Sequence, residues 1–171
     1  MVATQANTVR DRTGSAPAFT AIFERHYGDI LRYALVITND PAYAEDIAAD
    51  TFARAWQAWR AGREPDGPPL PWLLTIARNL ATDRWRRARR TATRRLGSGE
   101  FDPIREIESI DWLRSLSRVL SVRQREVVVL RYYRDLNDAA IGRVMGLSES
   151  GVRSLVARAL VALKAHPEIW Q

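Results

Sequence analysis

Asn79, Asp83, Arg84, Arg86 and Arg87 fall within one short stretch, ARNLATDRWRRARR at residues 77–90. A primary amide both donates and accepts hydrogen bonds, so Asn79 suits the edge of a base. Guanidinium groups suit phosphates, which position a nucleic acid without specifying its sequence. Upstream, Trp59, Arg60 and Arg63 lead into the loop AGREPDGPPLP. Cations beside aromatic faces are what an unstacked single strand needs, a track for its backbone and a platform for its bases. The same strip also fits a solvated helix end, with Asp83 orienting Arg86 or Arg87 three or four residues on. Charge alone does not separate the two.

Glu45, Asp46 and Asp50 form an acidic patch in a basic chain. Asp46 and Asp50 are one helical turn apart, on the polar side of a segment that bears tryptophans. A helix dipole that favours acids in its first turn would explain them equally well. A metal shared by the two, as in a nuclease, would need further ligands or a base, and none is evident nearby.

A third set lies in NDAAIGRVMGLSESGVRSLVARALVAL, residues 137–163. A short helix is expected to end at Gly146, where the left-handed conformation costs little, and Ser148 is placed to cap a second helix. Ile141, Met145, Leu147, Val152 and Leu155 would close one apolar contact between crossed helices, the spacing of a helix-turn-helix. Ser148, Glu149, Ser150, Arg153, Ser154, Ala157 and Arg158 would then face outward. An ordinary helical hairpin needs the same glycine and serine.

Composition narrows the chemistry. The 171 residues contain no cysteine, which removes disulfides, thiolate metal sites and cysteine nucleophiles together. His26 and His166 are the only imidazoles and sit far apart in the chain, which leaves little for a metal site or a catalytic triad. The net charge of +6 fits a polyanionic partner. Lys164 is the single lysine, and codon usage in a GC-rich genome would explain the arginine bias as well as function does. The N-terminal MVATQANTVRDRTGSAP lacks the apolar core of a signal peptide, and no run is long and apolar enough to span a bilayer. A soluble, cytoplasmic protein is expected.

The elements that carry these residues read as helices. Residues 1–16 are small and polar and are expected to be disordered. Phe19, Ile22, Phe23, Tyr27, Ile30, Leu31, Ala34 and Leu35 form a first stripe. Asp40 and Pro41 are placed as N-cap and first helical residue of the next helix, whose stripe is Ile47, Ala48, Thr51, Phe52, Ala55, Trp56 and Trp59. After the Pro/Gly loop, Pro71 is expected to open a third helix with Trp72, Leu73, Ile76, Ala77 and Leu80 on one face. Trp56 and Trp72 fall on apolar stripes and are assigned to the core, whereas Trp85 fits either packing or stacking. LGSGEFDP then breaks the chain, and the charge reverses across it: residues 84–95 hold seven arginines and no acid, residues 100–111 five acids and one arginine. Ile110, Leu113, Leu116 and Leu120 form a further stripe. Ser121 and Gln124 have the form of a capping box before REVVVLRYY, read as a buried helix. The expected organisation is all-α. An N-terminal helical domain over 17–92 is joined by a flexible linker, 93–109, to a C-terminal helix-turn-helix domain over 110–171.

Taken together, from about Phe19 to Leu163, these segments resemble the bacterial sigma factors of the extracytoplasmic-function (ECF) group, within the sigma-70 family. AEDIAADTFARAW resembles the segment of that family that binds the polymerase clamp, and PWLLTIARNLATDRWRR its promoter-melting helix. RQREVVVLRYYRDLNDAAIGRVMGLSESGVRSLVARAL resembles the domain that reads the −35 element. The resemblance implies a non-catalytic initiation subunit, without cofactor or metal, that binds core RNA polymerase and promoter DNA and is held in check by an anti-sigma factor. It implies that Glu45, Asp46 and Asp50 meet the clamp. Trp59, Arg60, Arg63, Asn79, Asp83, Arg84, Arg86 and Arg87 would hold the melted −10 element, and the outward residues from Ser148 to Arg158 the −35 duplex. The acidic EFDPIREIESID is implied to pass near the polymerase active-site channel, where negative charge mimics nucleic acid. The chain departs from the family pattern at Ala49 (usually glutamine), Asp50 (glutamate), Gly142 (alanine), Gly151 (threonine) and Leu155 (arginine). The departures at Gly151 and Leu155 imply fewer polar side chains facing the groove. A stand-alone helix-turn-helix regulator would account for 137–163 but gives no reason for the paired acids or Asn79.

Overall fold

The structure, a computed structural model, describes residues 15–91 and 110–167, with side chains over 16–83 and 115–167. The segments expected to be disordered or to form the linker lie almost entirely outside these residues. All regular structure described is helical: α1 (Ser15–Thr38), α2 (Pro41–Arg60), α3 (Pro69–Thr91), α4 (Ile110–Val119), α5 (Val122–Val128), α6 (Asp138–Met145) and α7 (Glu149–Lys164). A π-helical turn, Val129–Tyr133, continues α5 without a break.

The helix boundaries follow from local chemistry. Asp40 accepts a hydrogen bond from the Tyr43 amide at 3.2 Å, with Pro41 opening α2. Ser121 and Gln124 close a full capping box on α5. α1 already includes Ser15 and Ala16, just ahead of Pro17, and α3 starts at Pro69 rather than at Pro71. Both differences have one cause: the first-turn amides of a helix have no intrahelical acceptor, so proline there forfeits no hydrogen bond.

The helices α1, α2 and α3 pack together, with an aromatic cluster between α1 and α2. Phe19 lies 6.5 Å from Phe52, 5.1 Å from Trp56 and 5.9 Å from Trp59, ring centre to ring centre. Ile30, Ile47, Leu73 and Leu74 are fully enclosed beside it, each burying an aliphatic side chain of the kind that contributes about 1.5–3 kcal/mol. A second group, α5, α6 and α7, closes over Val127, Leu130, Ile141, Met145, Val152 and Leu163.

The two groups also touch each other, α1 against α5 and α3 against α6. Their seam is polar at its centre. Tyr33, fully buried, donates its hydroxyl to Glu126 Oε1 at 2.6 Å, and Arg78 Nε donates to the same oxygen at 2.8 Å. Next to it, Arg125 donates to the carbonyl of Val36 in α1 and to those of Ser117 and Leu120 near the end of α4. Asp29 of α1 meets Arg134 at 2.6 Å, with His26 and Arg32 beside it. The segment REVVVLRYY is thus helical as expected, but not simply apolar. Arg125 and Glu126 are its buried charges, and the π turn leaves Tyr132 and Tyr133 exposed while bringing Arg134 to Asp29.

Burial pushes the Glu126 carboxyl above its ordinary value, while the charge of Arg78, the hydroxyl of Tyr33 and the charge of Arg123 pull part of that back. Burial, reinforced by Glu126, holds the Tyr33 phenol well above its usual range, so it remains a neutral donor. The folded chain therefore binds the Glu126 proton more tightly than the unfolded chain. The stability this gives is complete below the unfolded pKa and is lost as pH rises through the folded one. Glu126→Gln keeps an oxygen that accepts from both donors but cannot titrate. Urea unfolding of parent and variant should show the difference moving in favour of glutamine as pH rises above 4.5, the ordinary value of the carboxyl. Parallel curves across that range would contradict the assignment.

Candidate nucleic-acid and polymerase interface

The face predicted on α7 is present. Ser148, Glu149, Ser150, Arg153, Ser154, Ala157 and Arg158 are all exposed, and Val152, Leu155 and Ala159 between them are buried. Ser148 caps the helix through its hydroxyl, which accepts from the Gly151 amide at 3.2 Å, and it also lies 3.1 Å from the Ser150 hydroxyl. Arg153 sits between two carboxylates, Asp138 at 3.4 Å and Glu149 at 3.8 Å. Asp138 also binds Arg131. Arg158 Nε donates back to the Ser154 carbonyl at 3.3 Å. Exposed pairs of this kind contribute little to stability; they hold the guanidinium groups against the surface without burying them.

Two family departures change meaning in three dimensions. Leu155 is buried, with 8% of its surface exposed, so the leucine does not stand where a groove contact would be. Gly142 is not merely a weak helix former. A Cβ there would lie 2.6 Å from the Leu147 carbonyl oxygen, in the turn that Gly146 opens with φ 64°. The Leu147 amide in turn donates to the Gly142 carbonyl at 2.9 Å. The glycine lets the turn fold directly onto α6.

On α2, Asp46 and Asp50 are exposed and Glu45 is half-buried, with Oε1 lacking a hydrogen-bond partner. The helix begins at Pro41 and its first turn holds no acid. The dipole effect fades within the first turn, so it does not account for Asp46 or Asp50. On α3, Asn79 and Asp83 are exposed and Arg78 is turned into the seam. Arg84, Arg86 and Arg87 continue the same helix, their side chains outside the described set. The strip 77–90 is therefore helix throughout. Trp59 is half-buried against Phe19, and Arg60 lies 6.0 Å from the Trp56 ring. Trp59 belongs to the edge of the aromatic cluster, with Arg60 and Arg63 exposed beyond it. Trp56 and Trp72 are also half-buried against the core. Among the described residues, no group of three or more His, Asp or Glu side chains is arranged to hold a metal ion, and no helix is long and apolar enough to cross a membrane.

Sequence reasoning missed Tyr33, Arg78, Arg125, Glu126 and Arg134. The one local signal was RE set directly before VVVL, two charges at the head of an apolar run. Nothing local says what would pair with them.

Residues 22–91 match the family model of sigma-70 region 2, and residues 118–165 that of sigma-70 region 4. The chain is 33% identical over 156 residues to the ECF RNA polymerase sigma factor SigL of Mycobacterium tuberculosis, covering 87% of this chain and 88% of that one. It is 31% identical over 165 residues to the ECF RNA polymerase sigma factor BldN of Streptomyces coelicolor, covering 90% of this chain and 62% of that protein. In fold it resembles the sigma factor RpoE from Bartonella quintana, solved with the anti-sigma factor NepR (TM-score 0.70, 22% identity, 88% of this chain and 96% of that one). It also resembles CnrH, solved with the cytosolic domain of CnrY (TM-score 0.67, 26% identity, 92% of each chain).

The Gly142 contact predicts a cost that helix propensity alone would reverse. Gly142→Ala should gain about 1 kcal/mol of propensity, yet lower overall stability by about 1 kcal/mol as the turn is displaced. Thermal unfolding of the variant decides, and a raised midpoint would show that the turn yields freely. The two region matches, in this order and on two helical groups, and the 33% identity to SigL over most of both chains establish that the chain belongs to the ECF sigma factors of the sigma-70 family, which direct RNA polymerase to promoters.

Proposed function

We propose a division of labour along the chain. Residues 17–92 dock on core polymerase and hold the −10 element, and residues 110–171 read the −35 element. The observation that carries this reading is the separation of α7 into an exposed polar face and a buried apolar one, with an exposed acidic pair on α2 in the other helical group. Glu45, Asp46 and Asp50 meet the polymerase clamp. Asn79 reads a base edge of the melted strand. Arg60, Arg63, Arg84, Arg86 and Arg87 hold phosphates, with Asp83 at the same surface. Trp59 acts mainly by shaping the base of this surface, which its packing on Phe19 supports. Ser148, Glu149, Ser150, Arg153, Ser154, Ala157 and Arg158 face the −35 groove, Arg153 and Arg158 as phosphate or base contacts.

The protein supplies no catalytic group; phosphodiester chemistry belongs to the polymerase. It works in the cytoplasm, where its polymerase is. An anti-sigma factor that contacts both domains completes the picture. RpoE above is solved with the anti-sigma factor NepR and CnrH with the cytosolic domain of CnrY, and here a groove of about 440 Å³ runs along the seam, with Ile37 and Tyr43 on one side and Val122 and Arg123 on the other.

Asp46→Ala with Asp50→Ala should weaken binding to core polymerase at least about tenfold, if the pair makes two charge-assisted contacts, while duplex DNA binding by the free chain is unchanged. Unaltered polymerase affinity would remove the acids from the interface. Asn79→Ala should change the ranking of promoters in run-off transcription more than it changes salt-dependent DNA affinity. Arg86→Ala or Arg87→Ala should do the reverse, lowering the salt slope by about one. Identical effects from both kinds of substitution would overturn the assignment of base and backbone roles.

A further inference from the structure

We infer that Glu126, clasped by Tyr33 and Arg78, is a latch that holds the free chain closed, and that promoter engagement requires this clasp to break. The inference rests on the promoter-binding reading for its consequence, but the clasp itself stands on geometry. Three elements from distant parts of the chain converge on one carboxylate oxygen. Tyr33 comes from the C-terminal part of α1, Arg78 from α3 and Glu126 from α5, with the two donors at 2.6 Å and 2.8 Å. Glu126 is 3% exposed and Tyr33 fully enclosed. A second contact, Asp29 with Arg134 at 2.6 Å, closes the same seam further along α1.

The closed arrangement and the DNA task are incompatible in length. α3, which carries Asn79 and the arginine run, packs against α6, the first helix of the helix-turn-helix. The −10 and −35 elements are separated by roughly 25 base pairs, or about 85 Å of duplex at about 3.4 Å per step. Two DNA-reading helices in one packed body cannot be at both places. The domains must part before both elements are held.

The chemistry of the seam suits a contact that has to part. A buried ion pair adds little net stability over apolar packing but is lost sharply when one member is removed, which makes it a register device rather than a permanent weld. Apolar side chains of both groups also belong to one continuous core cluster, so binding to polymerase and promoter has to drive the parting; interfaces between domains of one chain separate unaided only where they are small or polar. Opening also has a specific product. Arg78 immediately precedes Asn79, and in the closed chain its guanidinium is committed to Glu126. Released, it becomes one more cation beside the proposed base-reading amide. The same event that separates the domains therefore completes the −10 surface. Affinity for polymerase and promoter is reduced by the fraction of chains that are closed.

The absence of cysteine permits a direct test. Gln57→Cys and Val161→Cys place one thiol on an exposed position of each domain, and a donor–acceptor dye pair then reports their separation in single full-length molecules. The free parent should show one short-distance population, and core polymerase with promoter DNA should convert it to a long-distance one. Glu126→Ala should raise the open fraction of the free chain at least about tenfold and lower the polymerase concentration needed for half-maximal run-off by a similar factor. Tyr33→Phe, which keeps the packing and removes one hydrogen bond, should do the same to a smaller extent, about threefold. If Glu126→Ala loses helix content by circular dichroism, Tyr33→Phe carries the test. A distance distribution unchanged in the variant that retains its fold overturns the latch. So does a parent that is already open when free. Failure of the parent to direct any initiation would instead count against the promoter reading, and the distances would still decide the latch.

Discussion

One carboxylate oxygen, Glu126 Oε1, receives hydrogen bonds from two other helices, and the relation between the two halves of the molecule turns on it. Without Tyr33 and Arg78 the burial of Glu126 would be prohibitive, since a lone charge in an apolar seam is costly. With them, α5 sits against α1 and α3, and α6 follows onto α3. Arg125 tightens the same junction by binding a carbonyl of α1 and two carbonyls from α4 and the residue that ends it. Adjacent residues of one helix thus tie it to three neighbours.

The proposed functional surfaces are built differently. The acids of α2, the exposed side of α3 and the outer face of α7 are polar, solvated and weakly paired. Each is held in place by what lies beneath it: the Phe19 cluster under α2, Leu73, Leu74, Ala77 and Leu80 under α3, Val152 and Leu155 under α7. Side chains on rigid helices lose less entropy on binding than those on loops, which suits a protein whose work is recognition. Trp59 marks the border between the two kinds of residue, half in the cluster and half at the surface that Arg60 and Arg63 continue.

Much of this was legible from spacing. The caps at Asp40, Ser121 and Ser148, the left-handed Gly146 and the outward set on α7 all rest on relations spanning a few residues. The acidic pair was legible as a pattern, but its cause was not. The start of α2 at Pro41, expected from the sequence and borne out in the structure, puts both acids beyond the first turn and so beyond the reach of the helix dipole. Leu155 read both as part of the apolar contact between the crossed helices and, against the family's arginine, as a lost groove contact; its burial bears out the first, because its place in the helical repeat falls with Val152 and Ala159. Gly142 read only as a departure from the family's alanine and proved to be a fit, because the carbonyl that excludes a Cβ belongs to a turn five residues ahead.

The sequence by itself determined the helices, the caps at Asp40, Ser121 and Ser148 and the helix-turn-helix, since periodicity and capping act between near neighbours; the order of the two sigma-70 regions came from family resemblance. Only the tertiary structure decided which charges are buried and what they hold. Glu126 lies 93 residues from Tyr33 and 48 from Arg78. The free energy of burying a charge depends on partners that no local pattern can name, and three-dimensional packing alone brings them to it.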